Sequence, residues 1–307
     1  MSRNPSIPPV PHGYELDPEL HRILRGDPPA DALAWVCRQV GASQVVDVRP
    51  LPGGTSSAVH YVLLRSRGGT MLPVILRRYV LNWIAEEPWT PANEADVLRL
   101  LADSSIAAPR LLAADPDGSA TGTPTIVMSA LPGEVDWRPA DLNDWLRRLA
   151  EALPEVHSVP VAAGLRRFAP YPPEQRLPPR WSKHPAAWER AITLFEGDQP
   201  EVPQVFIHRD YHPGNVLWSG GRISGIVDWT SACIGGAAAD VAHCRANLVG
   251  HFGQQVADRF LSIWMSVSGT TEYHPFWDLT DVISWTGDDD KPDPALDEFV
   301  AAAAAKL

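Results

Sequence analysis

The spacing of apolar residues divides the chain into a first part dominated by strand patterns and a second part dominated by helix patterns. In the first part, runs of β-branched and aliphatic residues between turn-forming residues predict strands in residues 45–66, 71–80, 108–118 and 123–134. Apolar residues three and four apart predict helices over residues 30–40 and 91–105. We therefore expect an antiparallel sheet with an embedded helix.

Beyond residue 131 the apolar spacing becomes mainly helical. It predicts helices over residues 140–159, 184–196, 237–267 and 295–307. A hairpin pattern around a Ser-Gly-Gly turn, residues 204–229, lies between the second and the third of these helices.

The order of the patterns predicts the fold class α+β with two lobes. The first lobe comprises residues 1–131, and the larger, mainly helical lobe comprises residues 132–307 with the hairpin embedded in it. Two Pro-rich stretches fall outside the predicted elements. We expect residues 1–13 to be mobile and residues 171–184 to form an irregular surface segment.

Composition narrows the choice of partners. The 307 residues carry a formal net charge of -11, so a nucleic acid, which is bound by clustered Lys and Arg, is not an expected partner. An acidic surface can attract a cationic ligand, or it can serve solubility alone. Three cysteines without CxxC spacing favour neither disulfides nor a zinc site. The chain has no apolar run that suits a membrane span or a secretion signal, so we expect a cytoplasmic protein with no membrane contact. The sequence leaves the oligomeric state open.

Residues 208–228 concentrate the candidate chemistry of the chain. Asp210 and Asn215 have four residues between them, and Asp228 ends the strand that returns after the Ser-Gly-Gly turn. An antiparallel hairpin would bring these three oxygen-bearing side chains together. Carboxylate and amide oxygens suit Mg²⁺, particularly where phosphate groups supply further ligands. The pattern therefore predicts a site that handles phosphate groups.

The stretches FIHRDYHPGNVLW and GIVDWTSACIGGAAADVA resemble the aminoglycoside phosphotransferase family, within the protein-kinase-like superfamily. That family carries a His-Gly-Asp-x-x-x-x-Asn loop, then Ile-Asp-Trp, then an Asp-Leu-Ala-like helix start. This chain departs from the loop pattern at Arg209, where the family usually has Gly. The resemblance implies a two-lobed kinase-like fold and a phosphotransferase that uses ATP or GTP with Mg²⁺.

The resemblance also implies a role for each residue of the motif. Asp210 would position the acceptor hydroxyl and help to deprotonate it, while Asn215 and Asp228 would hold the metal ion. His208 would be a structural member of the loop. Asp240 would brace the loop from the start of the next helix, or it would simply cap that helix.

A kinase-like first lobe requires a phosphate-covering turn, a basic residue on the third strand and a helical Glu. The turn is predicted at four residues that an ordinary hairpin turn would also fit: Gly53, Gly54, Thr55 and Ser56. No lysine precedes Lys183, so the basic residue is Arg77 or, in a shifted register, Arg78. Glu94 shares the apolar face of its helix, so it would pair with Arg77, or it would only favour the helix N-terminus.

Three further features of the sequence complete this interpretation. A connection between the lobes, whose backbone groups would bind a nucleotide base, is predicted at Met128, Ser129, Ala130 and Leu131. His157 falls where the family has a helix-terminal His and is expected to be packed, whereas His212 either faces the site or is an ordinary loop residue. The twelve Trp residues, Trp285 among them, are expected in the core and the walls of the site.

The acceptor is expected to be a small molecule rather than a protein. Eleven residues separate Asp228 from Asp240, too few for the activation segment of a protein kinase. The family favours an antibiotic such as an aminoglycoside, with a choline- or homoserine-like alcohol as the second expectation. Because Arg77 replaces lysine, a silent nucleotide-binding protein is the third. The acidic residues 278–298, with three successive Asp residues at 288–290, either line a site for a cationic acceptor or form a solvated loop.

Overall fold

The computed structural model of the chain describes residues 18–161, 163–170, 177–284 and 292–307. Some predictions fall on residues outside the described ranges, so the structure does not test them. These residues are 1–13, the first part of segment 171–184, Trp285 and the Asp residues at 288–290. The chain forms two compact units, Met1–Leu131 and Pro132–Leu307.

The first unit is a five-stranded antiparallel sheet with helices. Its helices are α1 (Pro18–Arg25), α2 (Ala30–Val40) and α3 (Thr90–Leu101). Its strands are β1 (Ala42–Pro50), β2 (Ala58–Ser66), β3 (Met71–Arg78), β4 (Leu111–Asp115) and β5 (Thr125–Ser129). The strands lie in the order β1-β2-β3-β5-β4, and every neighbouring pair is antiparallel. The predicted antiparallel sheet is confirmed, whereas α1 was not predicted, although Leu20, Ile23 and Leu24 have helical spacing.

The core of the first unit lies between α2 and the sheet. Trp35 and Val36 of α2 pack against Val62, Leu64 and Leu76 of β2 and β3. The burial of β2 alternates residue by residue, as expected for a strand with one face on the core. This packing holds β3, which carries Arg77, in the middle of the sheet.

The second unit is mainly helical. Its helices are α4 (Leu142–His157), α5 (Pro185–Phe195), α6 (Ala237–Phe252), α7 (Gln254–Ser268), α8 (Phe276–Ile283) and α9 (Pro294–Ala304). Its strands are β6 (Glu134–Val135), β7 (Gln204–Ile207), β8 (Val216–Ser219), β9 (Arg222–Ile226) and β10 (Cys233–Gly236). They form a sheet in the order β6-β8-β9 and a β7-β10 pair.

For the second unit, one prediction was wrong and a second holds for only part of its residues. The single helix over residues 237–267 is two helices, because Gly253 adopts φ 81 and ψ 167 and so ends α6 and starts α7. The hairpin of residues 204–229 is formed by β8 and β9 alone, since β7 pairs with β10 instead. Gly236 lets β10 lie against Val202 and Trp277, where an added Cβ would come within 2.7 to 2.8 Å of both side chains.

Helix α6 carries a buried cation at the centre of the second unit. Arg245 is 1% exposed, and its Nε donates to Asp278 Oδ1 of α8 at 2.9 Å. Its Nη2 donates to Asp258 Oδ1 of α7 at 3.0 Å, and Tyr273 donates to Asp278 Oδ1 at 2.6 Å. The guanidinium and its partners therefore join α6, α7 and α8 by bonds whose geometry depends on the position of each helix.

Replacing Arg245 with Met is expected to lower the free energy of unfolding by about 3–5 kcal/mol, because Asp278 is left as an uncompensated buried charge. Urea denaturation measures the change. The double variant Arg245→Met with Asp278→Leu should recover most of the loss, since it removes both charges. A single variant as stable as the wild type would contradict the role given to this network.

Candidate active site

The hairpin β8-β9 fixes the backbone around the residues of the motif. Gly220 and Gly221 form its two-residue turn with φ 57 and 71, the positive angles that such a turn requires. Val216 pairs with Ile226, and the N–H of Val227 donates to the carbonyl of Asn215 at 2.9 Å. Asp228 therefore follows directly after the residue that is bonded to Asn215.

Asn215 is tied to Asp210 through its side-chain amide. Its Nδ2 donates to the backbone carbonyl of Asp210 at 2.9 Å and to Asp210 Oδ2 at 3.0 Å. Since both contacts use the nitrogen, the amide oxygen is the atom of Asn215 that remains suited to a metal ion. Asn215 is buried, and it ends the single turn of 3₁₀ helix that leads into β8.

Asp228 has a left-handed backbone, with φ 67 and ψ 60. This conformation costs a non-Gly residue about 1–2 kcal/mol, and such strain is concentrated at functional sites. Its Oδ1 accepts a hydrogen bond from Thr230 Oγ1 at 3.0 Å. A carboxylate here and the amide oxygen of Asn215 are hard donors, so this pair fits Mg²⁺.

Asp240 supports the loop that carries Asp210. Its Oδ2 accepts from the N–H of His208 at 2.9 Å, and its Oδ1 accepts from the N–H of Arg209 at 2.6 Å. Nε2 of His157, at the end of α4, lies 3.0 Å from the same Oδ2, and Asp240 is fully buried. Because Gly236 occupies the N-cap of α6, the geometry favours bracing over helix capping for Asp240.

His208 links the loop to the returning strand. Its Nδ1 accepts from the N–H of Asp210 at 3.2 Å, so its Nε2 carries the proton that is shared with the carbonyl of Val227 at 3.0 Å. The ring is fully buried and lies 4.4 Å from the ring of Trp229, centroid to centroid. These contacts give His208 a structural position.

Arg209 also has a positive φ, of 70. Glycine adopts this conformation without a steric cost, which explains why glycine suits this position of the motif. In this chain the guanidinium of Arg209 donates to the carbonyl of Ala169 and lies 5.6 Å from the ring centre of Phe168. The side chain therefore makes contacts that glycine cannot make.

His243 is a further residue of the site, and it was missed in the sequence. Its Nε2 lies 2.9 Å from Asp210 Oδ1, and its Nδ1 lies 3.1 Å from Asp281 Oδ1 of α8. A signal was available, because His243 follows Asp240 by three residues and so shares its face of α6. The spacing alone says nothing of its partners.

The charges of the histidines act on Asp210. Burial by itself raises the pKa of Asp210, but the hydrogen bond from His243 and the charges of His212 and His243 hold this pKa well below its usual range. His212 lies further away, with its Nε2 3.8 Å from Asp210 Oδ1, while its Nδ1 accepts from the N–H of Gly214. His212 thus both shapes the loop and faces the carboxylate.

Asp210, His212 and His243 also bring one donor atom each within 4.8 Å of one another, the spacing of a possible metal-ion site.

In the first unit, the predicted pairing of Arg77 with Glu94 is present. Nη1 of Arg77 lies 3.5 Å from Glu94 Oε1, and both side chains are buried. The hydroxyl of Tyr79 donates to the other carboxylate oxygen of Glu94. Two partners therefore compensate the charge of Glu94 on the apolar face of α3.

The predicted phosphate-covering turn connects β1 to β2. Gly53 and Gly54 have φ 94 and 70, which only glycine adopts readily, and the next two residues, Thr55 and Ser56, are exposed. Side chains from outside the turn bind its carbonyl groups. Arg25 donates to those of Gly53 and Gly54, and Trp83 donates to that of Ser56.

The predicted connection at residues 128–131 needs a correction. Met128 and Ser129 belong to β5, because Met128 pairs with Ile75 and Leu111 and the N–H of Ser129 donates to the carbonyl of Arg110. The N–H of Ala130 donates to the carbonyl of Pro73. These backbone N–H groups already have partners within the first unit. Leu131 is the last residue of that unit.

Three described acidic residues of the predicted acidic segment 278–298 have partners inside the chain. Asp278 binds Arg245 in the core, Asp293 caps α9, and Asp297 accepts bonds from Ser182 and Trp188. At these three positions the side chains have structural roles, so they fit neither a site for a cationic acceptor nor a solvated loop.

A family model identifies the family to which the chain belongs. The model of a family described as the phosphotransferase enzyme family matches residues 47–276. The chain belongs to this family. This match confirms the predicted membership of the aminoglycoside phosphotransferase family. The predicted kinase-like fold is confirmed as well.

Two solved structures share the fold of the chain. Macrolide 2'-phosphotransferase MphH from Brachybacterium faecium is 18% identical, with a TM-score of 0.55 over 89% of this chain and 98% of that one. A thermostable mutant of aminoglycoside phosphotransferase APH(4)-Ia, in a ternary complex with AMP-PNP and hygromycin B, is 15% identical, with a TM-score of 0.61 over 90% of this chain and 98% of that one.

A curated relative matches part of the chain. Homoserine kinase from Chelativorans sp. (strain BNC1) is 28% identical in an alignment of 146 residues that covers 41% of this chain and 42% of that protein. The match thus spans less than half of either protein.

Within the described residues, none of the helices is both long and apolar enough to span a lipid bilayer.

Replacing Asp240 with Ala is expected to lower the free energy of unfolding by about 3 kcal/mol or more, because two loop N–H groups and His157 lose their buried acceptor. Urea denaturation measures the loss. Asp141→Ala is the matched control, since Asp141 also accepts from two backbone N–H groups, but at the exposed start of α4. That variant should lose only about 1 kcal/mol, and equal losses would contradict the bracing role.

Proposed function

We propose that the chain transfers the γ-phosphoryl group of ATP or GTP to a hydroxyl group of a small molecule. The single observation that carries this proposal is the joint placement of the motif. Asp210 and Asn215 are bonded side chain to side chain, and the backbone of Asn215 is bonded to the residue before Asp228. Phosphoryl transfer asks a protein mainly for such positioning and for charge neutralisation.

In the proposed reaction, Asp210 orients the acceptor and takes up its hydroxyl proton. The acceptor oxygen bonds to the γ-phosphorus while the bond from that phosphorus to the leaving diphosphate oxygen breaks. Asp210 suits the orienting role because its side chain is 35% exposed and its neighbours keep it ionised, so that it can accept a hydrogen bond from the acceptor hydroxyl. The amide oxygen of Asn215 and the carboxylate of Asp228 would hold Mg²⁺. When bound, Mg²⁺ supplies positive charge that neutralises the phosphate oxygens.

For the first unit, we propose contacts with the nucleotide. Arg77, oriented by Glu94, would bind phosphate oxygens, and the turn of Gly53, Gly54, Thr55 and Ser56 would lie over the phosphates. At the end of β5, the carbonyl groups of Met128, Ser129 and Ala130 and the backbone of Leu131 are the candidates for contact with the base.

An antibiotic such as an aminoglycoside is our first candidate for the acceptor. Support comes from the structural relatives, one of which is a macrolide phosphotransferase and the other binds hygromycin B. The net charge of -11 would favour the approach of a cationic antibiotic. The partial match to a homoserine kinase supports a second candidate, a metabolic alcohol or amino alcohol.

The proposal predicts release of ADP or GDP when the protein, Mg²⁺ and a nucleotide meet the right acceptor. A panel of aminoglycosides, macrolides, homoserine and choline, each tested with ATP and with GTP, measures this release. Asp210→Asn should lower kcat by about 100-fold or more, because it removes the proton acceptor while keeping the volume. Nucleotide binding without turnover on any acceptor would instead favour a silent nucleotide-binding protein.

Arg77→Ala is expected to raise the nucleotide KM or to lower kcat by about tenfold, because the cation next to Glu94 is lost. Arg78→Ala is the matched control. Arg78 is the next residue of β3, so its side chain lies on the opposite face of the sheet. Arg77→Lys should restore most of the activity. Small and equal effects of the two Ala variants would contradict the proposed phosphate contact, and thermal unfolding checks that each variant folds.

A further inference from the structure

His243 lies between two carboxylates that come from different parts of the second unit. Asp210 approaches its Nε2 from the loop after β7 at 2.9 Å, and Asp281 approaches its Nδ1 from α8 at 3.1 Å. The side chain of His243 is 14% exposed and that of Asp281 is 19% exposed. The ring of His212 is also near, and its centroid lies 5.7 Å from the centroid of the His243 ring.

The two contacts determine the protonation of the ring. An ionised carboxylate only accepts hydrogen bonds, so a ring that bonds to two of them must carry a proton on each nitrogen. Burial lowers the pKa of His243, but Asp281 and Asp210 outweigh it and raise this pKa to about 10. The imidazolium form therefore persists through neutral pH and is lost only as the pH rises toward that value.

The same contacts complete the hold on Asp210. Its Oδ1 faces Nε2 of His243, while its Oδ2 accepts from Nδ2 of Asn215 at 3.0 Å. Each carboxylate oxygen thus has a donor of its own, one from inside the motif of residues 208–228 and one from α6 beyond it. A carboxylate oxygen accepts more than one bond, so either oxygen can still receive a proton from a substrate.

We propose that His243 is a positioning residue for phosphoryl transfer, which bridges Asp281 to Asp210 and so fixes the orientation of the Asp210 carboxylate. This inference rests on the proposed function, because it assigns the bridge to the reaction in which Asp210 takes up the acceptor proton. Asp281 acts through His243, since it orients the ring without touching Asp210. Misplacement of a reacting group by about 1 Å can cost 100-fold in rate.

A double-mutant cycle with His243→Gln, Asp281→Asn and the double variant tests the bridge. We expect His243→Gln to lower kcat by about tenfold or more, with the KM of the nucleotide changed by less than about twofold, since His243 has no proposed contact with the nucleotide. Asp281→Asn should lower kcat less. The double variant should match His243→Gln alone, because Asp281 acts only through His243. Multiplying losses, or a changed KM with an unchanged kcat, would overturn the proposal.

His184→Gln is the matched control. His184 also pairs with a carboxylate, that of Glu298 at 3.2 Å, but on an exposed part of the second unit. This variant should keep the kcat of the wild type. Thermal unfolding checks that each variant folds. Should His243→Gln fail to fold, Asp281→Asn decides the matter alone, because its kcat must fall while its stability and nucleotide KM stay near those of the wild type.

NMR of the histidine ring nitrogens gives a readout that does not require turnover. At pH 7.5 both nitrogens of His243 should be protonated. Asp281→Asn should lower the pH at which His243 loses its proton. A single protonated nitrogen would overturn the bridge and favour a metal ligand, which needs a neutral ring. Protonation of both nitrogens without turnover on any acceptor would refute the proposed function and the positioning role, and leave only a structural ion pair.

Discussion

The carboxylate of Asp240 is the contact on which the geometry of the site depends. It is fully buried and accepts the N–H groups of two consecutive loop residues, one of which, Arg209, has a strained left-handed backbone. Without this acceptor, the two N–H groups would lose the hydrogen bonds that hold the strained loop in place. Because Asp240 belongs to α6 and also binds His157 of α4, the loop is held at a position defined by two packed helices.

Helix α6 carries three charged groups that serve different ends. Asp240 braces the loop, His243 contacts Asp210 directly, and Arg245 joins α7 and α8 in the core. A buried charge contributes little to stability by itself, but its bonds are directional, so it specifies how its neighbours are arranged. The same helix therefore fixes the fold of the second unit and the orientation of the reacting carboxylate.

Features that depend on residues close together in the sequence were predicted more successfully than features that depend on residues far apart in the sequence. The hairpin β8-β9 was predicted because turn residues and strand alternation specify it through neighbouring positions. The pairing of Arg77 with Glu94 was predicted because the resemblance to the family implies it. The helix over residues 237–267 was predicted without its break, since Gly253 ends a helix only in the conformation that the packing imposes. Residues 128–131 were assigned to a connection because their sheet partners are distant in sequence.

The sequence by itself determined the family motif. The spacing of Asp210, Asn215 and Asp228 and the turn between them lie within one short stretch, and their chemistry can be read from residue types alone. Only the tertiary structure decided that Asp240 braces the loop rather than capping α6, and that His243 contacts Asp210. Asp240 and His208 are 32 residues apart, and His243 and Asp281 are 38 residues apart, in pairs that no periodicity connects. Helix packing brings them together, and the energy of each contact exists only once several elements have found their places.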